Sequence, residues 1–318
     1  PPYRLTVWPK DLNEALSKWS VRYEGVHKLG LVLWEGAWMV CIDLESGYDA
    51  MGLEESTKHL FAARFYAEAE FIAELEAEGL LVEGCLGEKD ASGGAEVFVE
   101  PNTLPQGFSW ACAIFSKCVR QMVREWRAKG LSVCHLIDDL LFAFKTYALA
   151  IWGRDYILSY LEAKGWCVSW LKAVLTPTQR LKFLGFVVDT LKMRLFLDKE
   201  KVVKIEAVLQ QIISTGGLQE THRSLASVAG KLVATGPAIP PARMLTRHIY
   251  KDVSPEDADY DQPAEVRPES LEEMQLALKY LRRLNKYGGP IRRRARMCQM
   301  RVISDASQHG YGYRIDDR

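Results

Sequence analysis

The chain has no CxxC pair. Its seven cysteines stand at positions 41, 85, 112, 118, 134, 167 and 298. An odd number excludes a fully paired disulfide framework, and the spacings exclude the common zinc patterns. Most lie in apolar runs such as WMVCIDL and LSVCHLI. They read as buried free thiols, from which a reducing compartment inside the cell is expected, cytoplasm or nucleus, with an organelle left open. No apolar run reaches the length that spans a bilayer, so no membrane partner is expected. A signal-peptide pattern, an internal repeat and a long low-complexity segment are also missing. So is net charge: 41 Lys and Arg balance 41 Asp and Glu. The whole-chain balance therefore does not point to nucleic acid. The opening PPYRLTV and the closing YGYRIDDR are abrupt. They read as cut points within a larger protein.

What is present is a globular composition, with 318 residues, 48% hydrophobic and 26% charged. That length accommodates two or three sub-domains. Charge is uneven along it. Residues 252–273 are acidic and residues 282–301 strongly basic. The arginines at 292–296 read as a solvated face or as a partner for phosphates. Apolar periodicity and Gly stops predict strands at 37–44 and 95–101 and helices over 54–82, 111–130, 149–164, 199–213 and 222–235. The 111–130 helix is expected to bury Ile114, Phe115, Cys118, Met122 and Trp126. The 149–164 helix is expected to share a face among Ile151, Trp152, Tyr156, Tyr160 and Leu161. A hairpin is expected over 181–198, with Gly185 as a bulge. Ser270 and Glu273 form a capping-box pattern for a helix through Lys286. Residues 300–315 read as a strand, a Gly turn and the start of a second strand.

Within HLIDDLLFAF, residues 135–144, Asp138 and Asp139 interrupt an apolar run. Buried carboxylates are costly without a partner. The run reads as two short strands with the aspartates at the bend. An acidic hairpin turn would explain an isolated Asp-Asp. A bound cation is the other explanation, and it gains weight only from the neighbouring segments and their order. The 37–44 strand ends on Asp43, and if the strands are neighbours in one sheet, three carboxylates converge. Mg²⁺ is the usual counter-charge for such a set, and two ions about 4 Å apart form the clamp used in nucleotidyl transfer. His59, His135 and His222 have no partners at ligand spacing and read as structural.

Taken in order, these segments resemble a retroelement reverse transcriptase, in particular the DIRS-type tyrosine-recombinase retrotransposons and their long-terminal-repeat relatives. VCIDLESGYDA resembles motif A. The resemblance makes Asp43 a metal ligand and Tyr48 the aromatic gate against a ribose 2′-hydroxyl. LPQGFSWACAIFS resembles motif B, with Pro105, Gln106 and Gly107 facing the incoming nucleotide and template. LIDDLL resembles motif C, with Asp138 and Asp139 as metal ligands. GWCVSWLKAVLTP resembles motif D, where Lys172 falls on the lysine that protonates pyrophosphate. FLGFVV resembles motif E, the primer grip of Phe183, Leu184 and Gly185. YRLTVWPKDLN resembles the end of motif F, which gives Arg4 a triphosphate contact. VISDAS resembles the first strand of an RNase H domain, with Asp305 as its first carboxylate.

The departures are Leu136 where motif C usually carries Tyr, a long stretch between motifs A and B with an added helix at about 66–84, and bulky Phe108 and Trp110 in motif B. The resemblance implies an α+β right-hand polymerase with an antiparallel palm sheet, a connecting segment and a truncated RNase H start. The implied boundaries are partial fingers 1–36, palm 37–198 with a fingers insertion at about 54–104, thumb-like helices 199–250, connection 251–300 and RNase H start 301–318. The implied activity is RNA-directed DNA polymerisation with two Mg²⁺ ions, Mn²⁺ being a substitute. The implied partners are an RNA template, a DNA primer, dNTPs and other domains of the same polyprotein: the rest of RNase H, and a recombinase or integrase. The alternative is a retroelement-derived protein without polymerisation, serving as a structural or RNA-binding subunit of a ribonucleoprotein.

Overall fold

The computed structural model describes residues 9–253, 259–292, 300–307 and 310–317, with side chains described through residue 292. Contacts divide the chain into two compact units. One comprises residues 1–24 and 40–177, the other residues 25–39 and 178–318.

The first unit contains α1 (Lys10–Ala15), β1 (Trp38–Asp43, reaching into it from residue 40), β2 (Ala63–Ala67), α2 (Ala69–Ala77), β3 (Ala95–Val99), α3 (Ala111–Ala128), β4 (Ser132–Leu136), β5 (Asp139–Phe144), α4 (Tyr147–Ala163) and β6 (Val174–Thr178). Its main sheet runs in the order β4-β5-β1-β6. β1 and β5 are central, and they are the most apolar strands: Val40, Ile42, Leu140, Leu141 and Phe142 are fully buried. β4 and β5 pair antiparallel from Ser132↔Ala143 to Leu136↔Asp139, leaving Ile137 and Asp138 as a two-residue loop. α3 buries Phe115, Val119, Met122 and Trp126, spaced by three or four as a helix stripe requires. The Trp126 ring meets Phe142 edge-on at 5.2 Å.

The second unit holds a sheet and a helical layer. β7 (Arg180–Phe183), β8 (Phe186–Asp189) and β9 (Arg194–Leu197) form a meander. They are followed by α5 (Lys199–Ser214), α6 (His222–Val233), α7 (Arg247–Asp252), α8 (Pro268–Tyr287) and β10 (Gly289–Pro290), which pairs with β9. α5 buries Val202, Ile205, Leu209 and Ile212, and α6 buries Leu225, Val228 and Leu232, as their periodicity predicts. Arg282 of α8 grips Glu206 of α5 with Nε and Nη2 each 2.7 Å from a carboxylate oxygen. β11 (Met300–Ser307) and β12 (Gly310–Asp317) pair antiparallel as a separate ribbon.

Several local expectations are corrected. The segment 54–82 is not one helix. It breaks into a single turn at Glu55–Lys58, strand β2 and helix α2. β2 pairs along its whole length with β3, a partner that local Ala/Glu propensity does not register. Cys118 is exposed on α3, while Ala111, Val119 and Val123 join its buried face. α4 buries Ala150, Gly153, Ile157 and Leu161; Trp152 is exposed and stacks on Tyr156 at 5.6 Å. The expected 181–198 hairpin has three strands. Gly185 is no bulge: Leu184 and Gly185 both have positive φ, in a two-residue turn closed by Phe183↔Phe186. Ser270 and Glu273 are not caps but buried side chains inside α8, bonded to Asp252 and to His248 respectively. Of the six described cysteines, Cys41 and Cys134 are buried, Cys85 and Cys112 half-buried, and Cys118 and Cys167 exposed. Among the described residues no helix is long and apolar enough to cross a membrane.

Candidate active site

Two chain segments, the β4–β5 loop and residues 167–169, meet the C-terminal end of β1, and three backbone hydrogen bonds tie them to it. Leu44 N donates to Asp138 O at 3.1 Å, Ser169 N donates to Asp43 O at 2.9 Å, and Glu45 N donates to Cys167 O at 2.9 Å. Asp43 thus lies between the β4–β5 loop and the segment leading to β6. A turn after Ser169, closed by Lys172 N to Ser169 O at 3.1 Å, returns the Lys172 side chain to the strand end. Its Nζ donates to Asp43 Oδ1 at 3.3 Å.

The electrostatics are unbalanced. Burial, then the charges of Asp138 and Asp43, raise the Asp139 carboxyl to about 6, with Lys172 opposing. Burial, with the charge of Asp43, raises Asp138 as well. Three carboxylates therefore share one ammonium, and that ammonium is largely exposed. Such a surplus is what a hard cation relieves. Among the described residues, no group of three His, Cys, Asp or Glu side chains is gathered closely enough to hold a metal ion. The carboxylates feel one another, and the present contact of Asp43 is with Lys172.

A cleft of about 380 Å³ opens beside this point and is lined by Tyr48, Gln106, Ile137, Asp138 and Lys172. The loop after β1 delivers Tyr48: Ser46 has φ 49°, and Asp49 N and Ala50 N both close on Ser46 O. Gly47 is required there, because a Cβ would sit 2.6 Å from the Phe115 ring. The Tyr48 ring meets Phe115 edge-on at 5.4 Å. Gln106 is half-buried between buried Pro105 and exposed Gly107, whose φ is 103°. Asn13 fastens this turn from outside, donating to Gly107 O at 2.9 Å and accepting from Ser109 N at 2.8 Å.

The structure thus brings together Asp43, Tyr48, Pro105, Gln106, Gly107, Asp138, Asp139 and Lys172 in the first unit. Phe183, Leu184 and Gly185 form the β7–β8 turn of the second unit. Arg4 lies outside the described residues, as do Arg293, Arg294 and Arg296 of the basic cluster. Asp305 is described by its backbone, in β11 opposite Gly312. Sequence reasoning missed Asn13, and it missed Tyr23, whose hydroxyl donates to Cys112 Sγ at 3.1 Å. Each acts across about ninety residues, so no local spacing reveals it. It also missed Glu24, which accepts from Arg127 Nη2 at 2.8 Å and from the backbone N–H of His135 at 3.3 Å. The buried His135 Nδ1 lies 3.3 Å from the same carboxylate, but without hydrogen-bond alignment.

Residues 3–188 match the family model described as reverse transcriptase (RNA-dependent DNA polymerase). The chain belongs to the reverse transcriptase family. Solved structures carry the same fold. A foamy viral protease–reverse transcriptase in complex with double-stranded DNA superposes with a TM-score of 0.65 at 17% identity, covering 98% of this chain and 49% of that one. The foamy viral enzyme in complex with an RNA/DNA hybrid gives 0.64 at 17% identity, covering 99% of this chain and 38% of that one. The chain therefore spans about half or less of the length of these relatives. No curated protein sequence matches it. The α+β architecture with antiparallel sheets expected from the sequence is the reverse transcriptase fold.

Proposed function

We propose that the chain is an RNA-directed DNA polymerase of a retroelement, of the DIRS or long-terminal-repeat kind. The observation that carries this reading is the convergence of Asp43 with Asp138 and Asp139 at one end of the sheet, beside a cleft lined by Tyr48 and Gln106. In this reading Asp43, Asp138 and Asp139 hold Mg²⁺, and the ions would lower the charge on the reacting phosphate and on the primer oxygen. Their oxygen donors and uncompensated charge suit that ion. Tyr48 excludes a ribose 2′-hydroxyl. Pro105, Gln106 and Gly107 border the nucleotide, and Arg4 contacts its triphosphate. Lys172 delivers a proton to the departing pyrophosphate, leaving Asp43 to do so. Phe183, Leu184 and Gly185 grip the primer. The domain boundaries given above, and an RNase H start at Asp305, belong to the same reading. They are supported by the segment order and by the β11–β12 pairing.

The second reading, a family member acting as a non-polymerising RNA-binding subunit, is favoured by Leu136 at the motif C tyrosine position. Primer extension on an RNA template with Mg²⁺ and dNTPs separates the two. We expect extension by the wild type and a loss of about a hundredfold to a thousandfold in Asp138→Asn, the scale on which one preorganised electrostatic group contributes. Extension that survives Asp138→Asn would sink the assignment.

A further inference from the structure

Within the first unit, β2, α2 and β3 form a module with a small core of its own. Ala67, Ile72, Ala95 and Val97 are buried there, and Leu81, Leu86 and Val99 pack against them. Beside that core lies a second apolar surface, open to solvent. Phe71 and Leu75 stand about one turn apart on α2 and border a hollow of about 800 Å³, with Phe65, Leu80, Val82 and Phe98 in the same wall. Leu80 and Val82 are 60% and 73% exposed, so the hollow is an open groove and not a sealed cavity. An apolar groove of this kind, rimmed by polar residues, marks a surface that a partner covers.

We infer that this groove docks the apolar face of a basic amphipathic helix from a protein partner. Charge selects the partner. Residues 54–100 carry 3 basic and 12 acidic residues. All three cations are already paired: Lys58 with Glu55 at 2.6 Å, Arg64 with Glu96 at 3.5 Å and Lys89 with Glu76 at 3.3 Å. Glu83 and Glu100 stand in the wall of the groove with no cation beside them among the described residues. Nucleic-acid phosphates are repelled by such a surface. A second copy docked face to face would set two acidic segments against each other, at a cost. The form of the partner follows from the backbone. On the side of residues 80–87 the edge of β3 is in use: Gly87 N donates to Glu96 O and Phe98 N to Cys85 O, both at 2.8 Å. An added strand finds no free backbone there, so recognition falls to side-chain anchors, which a helix presents at spacings of three, four and seven. The inference stands whether or not the chain polymerises.

The test titrates the full chain into a fluorescent peptide of lysine and leucine, about 18 residues or roughly five helical turns, with all leucines on one face. Anisotropy should report binding, and a scrambled peptide of the same composition should bind at least about tenfold more weakly. Leu80→Ser with Val82→Ser should weaken the ordered peptide about tenfold, the scale of two apolar side chains partly buried. Glu83→Gln with Glu100→Gln should weaken it about threefold at low salt, and less as salt rises. Asp11→Asn with Glu162→Gln removes the same charge elsewhere in the unit and should change nothing. No binding up to about 1 mM peptide overturns the inference. Equal binding of the scrambled peptide overturns it too, since charge alone would then suffice. Wild-type affinity in the Leu80/Val82 variant means that the peptide sits elsewhere, with the same result. Sedimentation covers a second copy: self-association that this variant abolishes would make the groove a homotypic contact. An RNA oligonucleotide whose binding the variant weakens would make it a nucleic-acid surface. Either outcome overturns the inference. Should the Leu80/Val82 variant not fold, the Glu83/Glu100 variant and the scrambled peptide still decide.

Discussion

Ile137 is a β-branched residue with φ 56°, at the first position of the two-residue loop joining β4 and β5. Glycine is the usual occupant of such a position, and a branched side chain there stores roughly 1–3 kcal/mol of backbone strain. The loop carries Asp138, so the strain sits at the carboxylate the proposed chemistry needs. We expect Ile137→Gly to leave the thermal midpoint unchanged or raise it, because relief of strain offsets the added chain entropy of about 1 kcal/mol. Primer extension should fall as the loop loosens. Thermal melting beside an extension assay checks both, and a clear drop in melting temperature would show that the strain is absent. Gly47 makes the opposite case. Its missing Cβ leaves room for Phe115, and Gly47→Ala drives a methyl to within 2.6 Å of the ring. Overpacking of this kind costs about 1–3 kcal/mol. Phe115→Leu in the same chain should recover part of the loss in a urea unfolding series. No recovery would mean that the clash is not with that ring.

Among the elements, legibility tracked the range of the contacts. α5 and α6 were readable because their apolar stripes are local and the layer they pack on needs no special partner. The β4–β5 bend was readable because two carboxylates in an apolar run leave few alternatives. β2 was not, since its five residues, ARFYA, are embedded in an Ala/Glu-rich stretch that reads as helix, and their strand partner β3 lies about thirty residues on. The faces of α3 and α4 were half right: the spacing put Trp152 on one face with Leu161, but α4 buries Leu161 with Ile157 and the small Ala150 and Gly153, and Trp152 is exposed. At the site, Asp43, Tyr48, Gln106 and the aspartate pair were legible by order along the chain. Asn13, Tyr23 and Glu24 were not, because their partners lie far away in sequence. Glu24 is a clear case of an element held from outside. Burial pushes its carboxyl up, but the contacts with His135 and Arg127 outweigh burial and hold it down to about 2. It thereby covers the free edge of β4. A depressed pKa stabilises the fold fully above the ordinary value of 4.5, and the contribution is lost as pH falls from 4.5 towards 2. Glu24→Gln should therefore be less stable than the wild type in urea at pH 7, and the gap should narrow at pH 3 and close only below the folded-state value of about 2. A gap of constant size would mean that the charge of Glu24 is not what holds β4.

At the scale of the whole molecule, the neutral sum conceals a division. The first unit has 16 basic and 23 acidic residues, net −7, and the second has 25 and 18, net +7. Much of the negative side comes from 54–100, with 3 basic and 12 acidic residues. A chain with zero net charge can therefore still carry a phosphate-binding half, which a whole-chain count excludes too readily. The second unit places part of that charge around a hollow of about 660 Å³ lined by Arg180, Lys192, Lys199 and Lys286, with Phe196 in the same wall. Two of these cations lie over the Phe196 ring, Arg180 at 5.7 Å and Lys192 at 5.9 Å, so the ring holds them without neutralising them. Arg282 is different: Glu206 neutralises it, and its role is to clamp α8 to α5. If this basic face tracks nucleic-acid phosphates, each lysine that meets one contributes close to one unit to the slope of log affinity against log salt. Lys192→Gln with Lys286→Gln should weaken binding of an RNA/DNA hybrid at low salt, and the slope should become shallower by about two. Titrations over a range of NaCl concentrations read both quantities. A weaker affinity with an unchanged slope would point to a folding defect. An unchanged affinity would place the phosphates elsewhere on the second unit.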